Sequence, residues 1–133
     1  MRGIIGGLLA AVLAGNGAAM LAAGAWWYAT VPGVTQTGPY NPHFVKDIGA
    51  AYLVCAAAVV WRIAWPATAW SASVAVAAFL GLHGVIHLAD SLGDPAPLAD
   101  LLRDAPGVFI PALLAAWIAW PSNRSPAGGR TDA

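Results

Sequence analysis

Every histidine in the chain stands at a helical spacing from an aspartate. In the run Asn41-Pro42-His43-Phe44-Val45-Lys46-Asp47, His43 and Asp47 are at i and i+4. In His83-Gly84-Val85-Ile86-His87-Leu88-Ala89-Asp90, the residues His83, His87 and Asp90 are at i, i+4 and i+7. On a helix each set lies along one face, with successive members about 6 Å apart along the axis. Two imidazoles on successive turns can chelate one ion, as in the HExxH helix. Imidazole with carboxylate suits Fe, Cu, Zn or Mn better than Ca or Mg. His43, Asp47, His83, His87 and Asp90 are therefore the candidate metal ligands, with Asp90 either a ligand or a carboxylate that orients a histidine. The plainer alternative makes His43, Lys46, Asp47 and Asp90 interfacial polar residues, with His83 and His87 hydrogen-bonding across helices.

The elements that must position these residues follow from composition. Of 133 residues, 59% are hydrophobic and 9% charged, whereas a soluble domain carries about a quarter charged residues. Most of the surface must therefore face something other than water. A formal net charge of +0 supplies no basic field for nucleic acid. Four apolar stretches occupy approximately 4–29, 44–64, 69–92 and 105–121, against the ~20 residues needed to span a bilayer. The expected fold is all-α: an integral membrane four-helix bundle, up-down-up-down, formed by residues 1–121. Residues 122–133 read as a disordered cytoplasmic tail. Spans rich in Ala and Gly let membrane helices approach closely. Arg2 followed by an apolar run and Ala22-Ala23-Gly24-Ala25 has some features of a signal peptide. The run continues into Trp26, Trp27 and Tyr28, which read as an interfacial anchor, so the stretch is expected to be an uncleaved span.

Basic residues set the orientation. With both ends cytoplasmic, the inner side holds Arg2, Arg62, Arg124 and Arg130, and the outer side Lys46 and Arg103, in keeping with the positive-inside bias. Asp47, Asp90, Asp94, Asp100 and Asp104 then fall on the outer side. The short turn Arg62–Thr68 predicts that the second and third helices pack as a hairpin. Asn41 is placed to cap the second helix, with Pro42 in its first turn. His43, Asp47, His87 and Asp90 are thereby expected near the outer ends of two neighbouring helices, with His83 ~13 Å below Leu92. Their polar faces would meet just under the outer surface. Asp90 and Asp94 end the third helix, where the helix dipole disfavours negative charge and a bound cation would offset the cost. Among the other polar residues, Asn16 reads as an interhelical hydrogen-bonding group, Asp104 as a helix cap and Pro111 as a kink in the fourth helix.

Three functions fit this pattern. The first is a metalloprotein, redox-active on a lipophilic or quinone-like substrate. The second is a b-type haem protein with His43 and His87 as axial ligands. The third is a non-catalytic accessory subunit or small carrier whose histidines act as a relay, in a homo-oligomer or larger membrane complex. The lipid bilayer is the partner common to all three. No Walker loop, nucleophile elbow, dinucleotide fingerprint or haem-attachment CxxCH occurs.

The string Gly38-Pro39-Tyr40-Asn41-Pro42-His43-Phe44-Val45-Lys46-Asp47-Ile48-Gly49, followed by the HxxxH of the third helix, resembles small uncharacterised four-helix membrane proteins of bacteria. Their general build is similar to the DoxX-like group. The resemblance implies multi-pass insertion in the bacterial cytoplasmic (inner) membrane and carries no activity with it.

Overall fold

The computed structural model describes residues 1–121; the expected tail, 122–133, lies outside the described residues. Among those described the chain is helical throughout, with no strand. Four helices are long and apolar enough to cross a membrane: Arg2–Ala22, Pro42–Ala64, Trp70–Gly93 and Pro97–Ala119. Only 22–33% of the apolar 18-residue stretch of each is buried inside the protein. Most of each apolar helix therefore faces outward, a pattern suited to lipid and costly in water.

The first apolar stretch is two helices rather than one. α1 (Arg2–Ala22) ends at Ala23, whose φ of −140° and ψ of 43° are not helical, and α2 (Gly24–Thr30) follows at once. Trp27 Nε1 donates to Asn16 Oδ1 across the break, at 2.8 Å. The Asn16 bond thus stays within the first stretch, and Trp27 turns inward instead of serving as a surface anchor. Trp26 remains 62% exposed. The link to the next helix contains a 3₁₀ turn, Val34–Gln36. α3 (Pro42–Ala64) starts as its sequence predicts: the Asn41 side chain accepts from the N–H groups of His43 and Phe44, at 3.1 Å each, with Pro42 in the first turn. α4 covers Trp70–Gly93.

The fourth helix departs from its predicted span of 105–121. It begins at Pro97 as α5 (Pro97–Asp104), widens into a π-helical turn at Ala105–Phe109, and continues as α6 (Ile110–Ala119). Pro111 has no N–H to return to the preceding turn, so the regular ladder cannot run through it, and a wider turn just before it absorbs the fault. Asp104 correspondingly makes no side-chain cap. It sits inside a continuous 23-residue helix.

Glycine sets the closest seam. At Gly17 of α1 an added Cβ would lie 2.6 Å from the Gly49 carbonyl oxygen of α3, and at Gly49 it would lie 2.9 Å from Met20 Cβ. The two backbones meet at a distance only glycine allows. α1 packs most extensively on α3, and α4 on α6. The α3–α4 hairpin expected from the short turn makes the lesser contact, which includes Tyr52 and Phe79 with rings 6.0 Å apart. Leu9, Leu13, Met20, Val59, Val76, Leu80 and Ile118 fill the core.

Candidate functional site

The seams decide which polar side chains meet. On α3 the buried residues Val45, Gly49, Tyr52, Ala56 and Val59 recur at spacings of three and four, the stripe of an inward face. His43 and Asp47 each lie two residues before a member of that stripe, rotated by about 200° from it. They consequently point away from the core, and their side chains are 88% and 63% exposed. They pair only loosely with each other, His43 Nε2 to Asp47 Oδ2 at 3.5 Å. Asp90 on α4 is exposed as well.

On α4 the buried positions are Ser73, Val76, Leu80, Gly84 and Ser91. His87 falls between Gly84 and Ser91 in the same rhythm, so it belongs to the inward face, with His83 beside it one turn earlier. The two imidazoles stand edge to face, ring centroids 4.7 Å apart. Tyr52 of α3 closes on His83 from the other side, with centroids 6.3 Å apart. His83 and His87 are therefore brought together. His43, Asp47 and Asp90 do not join them: among the described residues no three His, Cys, Asp or Glu side chains are grouped so as to hold a metal ion.

The partner that His87 does find is Asp104, which the sequence suggested was a cap. His87 Nδ1 and Asp104 Oδ2 are 2.7 Å apart, and the Asp104 side chain is 6% exposed. Arg103 satisfies the rest of the carboxylate: Nε donates to Oδ1 at 2.8 Å and a terminal nitrogen donates to Oδ2 at 3.3 Å. The other terminal nitrogen of Arg103 donates to Asp100 at 2.5 Å and to Gln36 Oε1 at 3.1 Å. The Ser91 hydroxyl donates to the His87 carbonyl, at 2.8 Å, along the same helix. Hydrogen bonds link Gln36 and Asp100 through Arg103 and Asp104 to His87, and edge-to-face ring contacts, not hydrogen bonds, lead on from His87 to His83 and the buried Tyr52.

This arrangement has chemical consequences. A neutral His87 must carry its proton on Nδ1 to donate to Asp104, which leaves the Nε2 lone pair as the basic site. A carboxylate behind an imidazole is the device that fixes tautomer and ring direction, both in metal sites and in general-base catalysis. Two carboxylates and one guanidinium leave the Asp100–Arg103–Asp104 group with one formal negative charge. One proton on the histidine pair would make the whole line neutral.

The chain matches no protein-family model, no curated protein and no solved structure.

Proposed function

We propose that the chain is a small multi-pass protein of the bacterial cytoplasmic membrane that takes up and passes a proton through His87 and His83, serving a larger membrane complex or a second copy of itself as a non-catalytic relay. The observation that carries this reading is the 2.7 Å contact between His87 Nδ1 and the buried Asp104 carboxylate. An ionisable group inside a membrane span is costly unless it is paired or used. Here the pairing is incomplete by one charge, and the histidines are the groups that can supply it. His83 stands against His87 and Tyr52 against His83 through ring contacts, which carries the polar groups towards the middle of the span.

The bundle in this reading is up-down-up-down with both ends cytoplasmic. Contacts at its two ends support the alternating direction of the helices, while the orientation rests on the placement of the basic residues. Arg2 donates to the Trp120 carbonyl at 3.1 Å and lies over the Trp117 ring at 5.2 Å, while Trp70 Nε1 donates to the Ala119 carbonyl at 3.0 Å. Arg103 reaches Gln36 at 3.1 Å at the other end. The basic residues Arg2 and Arg62 then face the cytoplasm and the Asp104–His87 pair lies towards the outer face.

The test is ¹⁵N-histidine NMR of the full chain in nanodiscs. His87 is expected as the Nδ1–H tautomer with a strongly hydrogen-bonded proton. A His87 carrying its proton on Nε2 would defeat the proposal.

A second reading keeps His83 and His87 as ligands to Fe, Cu, Zn or Mn. It is favoured by their one-turn spacing and by the carboxylate that orients His87. It needs further ligands from a substrate or a second copy, and it places a cation near the fixed charge of Arg103. Elemental analysis of the purified protein separates the two readings, since the relay requires no stoichiometric metal.

A further inference from the structure

The link between α2 and α3, residues 31–41, does more than join two helices. Gly33 has φ +85°, a conformation that L side chains rarely adopt. Its backbone lies directly on the guanidinium: an added Cβ would sit 2.6 Å from Arg103 Nε and 2.9 Å from Cζ. Three residues on, the Gln36 side chain accepts from Arg103 at 3.1 Å. The other leg of the link is tied to α2, where the Tyr28 hydroxyl donates to the Gly38 carbonyl and the Tyr28 and Tyr40 rings lie 5.3 Å apart. The segment is thus fastened at both legs, and between them it touches the arginine that holds Asp104.

We infer that residues 31–41 form a latch over the Asp104–His87 pair, fastened by Gly33 and Gln36 to Arg103, and that releasing it admits water and protons to His87. The logic is mechanical. Arg103 has several partners in contact at once: Asp100, both oxygens of Asp104, and Gln36. With the link seated, the guanidinium is pressed from the Gly33 side and kept on the carboxylate. With the link lifted, Gln36 and the Gly33 surface are lost together, and the arginine gains room to swing off Asp104 towards water. The segment brings no charge of its own, since residues 31–41 contain no Asp, Glu, Lys, Arg or His. Opening therefore changes access and geometry without adding a competing ion. The groups facing His87 are Asp104 and Arg103 from α5, with Asp100 behind them, and His83 on its own helix, with Tyr52 of α3 beyond His83. The latch gives the relay of the preceding section a controlled entrance, and the inference rests on that reading for its purpose.

The experiment follows solvent exchange of the His87 Nδ1 proton by NMR in the full chain in nanodiscs, with the exposed His43 as an internal reference for unhindered exchange. Gln36→Ala removes one fastening without straining the backbone. Gly33→Ala drives a methyl group into the guanidinium. The expected result is His87 exchange about tenfold faster in Gln36→Ala and faster still in Gly33→Ala, the tenfold step being ~1.4 kcal/mol of opening free energy, with His43 unchanged in both. Wild-type exchange at His87 in folded Gln36→Ala overturns the latch, and this variant decides the matter even if Gly33→Ala misfolds. Asp104→Ala, which removes the acceptor of the His87 Nδ1 proton, separates the two proposals. A His87 Nδ1 proton that is still slow to exchange in that variant means the Asp104–His87 pairing itself is not what protects it, and the relay reading fails rather than the latch alone.

Discussion

His43 and Asp47 lie one turn apart on α3, 3.5 Å between Nε2 and Oδ2, with side chains 88% and 63% exposed. His87 and Asp104 come from different helices, 2.7 Å apart, with side chains 28% and 6% exposed. The same two residue types give a loose surface pair in one place and a buried hydrogen-bonded one in the other. Spacing along the chain is not what separates them, because i and i+4 describes the weaker pair. The separation comes from the face on which each residue stands relative to its helix seam. An exposed pair gains little, because water or headgroups solvate each charge and side-chain entropy opposes the contact. A buried pair stakes more, since loss of Asp104 takes the acceptor from both the His87 Nδ1–H and the Arg103 guanidinium inside an apolar bundle.

The largest test of this contrast is Asp104→Ala. It leaves Arg103 and His87 facing a void and is expected to cost about 3 kcal/mol, measured by reversible unfolding in mixed micelles. A loss below a fifth of that would remove the distinction between the pairs. Next comes Gly17→Leu, which leaves both pairs intact while forcing the α1–α3 seam apart. Overpacking there should cost about 2 kcal/mol, and loss of the ordered His43 orientation would show that the seam sets the outward face of α3. Trp27→Phe provides an intermediate case, a neutral hydrogen bond of 2.8 Å to Asn16 removed from inside an apolar span. Its expected cost is about 1 kcal/mol by the same unfolding assay. Smallest is Asp47→Ala, which should lie within about 0.5 kcal/mol of wild type. A double-mutant cycle with His43→Ala should give a coupling indistinguishable from zero.

The architecture was legible from composition, and much of the site from helical rhythm. Low charge and four apolar runs are enough to expect four long helices, and Asn41-Pro42 marks the start of α3 to the residue. The inward position of His87 could also have been read, because it continues the small-and-apolar series Ser73, Val76, Leu80, Gly84 and Ser91. The same test would have turned His43 and Asp47 outward, since both fall off the Val45, Gly49, Tyr52 stripe. Ala105-Pro106-Gly107 reads as a break in the sequence and gives Asp104 the look of a helix start. The overlooked signal was length. A span of 105–121 is near the short limit for a bilayer crossing, whereas extension back to Pro97 gives 23 residues. The Arg103 connection to Gly33 and Gln36 had no signature in sequence, since it joins residues 67 positions apart or more through a loop conformation that one glycine permits.

The wide turn at Ala105–Phe109 has a consequence for how the fourth helix could vary. It carries one more residue per turn than an ordinary helix, so it works as a phase adjuster between α5 and α6. Each residue added to or removed from a helix rotates everything beyond it by about 100°. Deleting one residue within the wide turn would restore a regular turn and keep Asp104 in phase with α6, whereas the same deletion in the regular helix just beyond it would swing Asp104 a quarter-turn or more relative to the α6 contacts and away from His87. The partnership between that carboxylate and that histidine is thus set by a count of residues as much as by their identity, and a single-codon deletion in a stretch with no ionisable side chain would be enough to dissolve it.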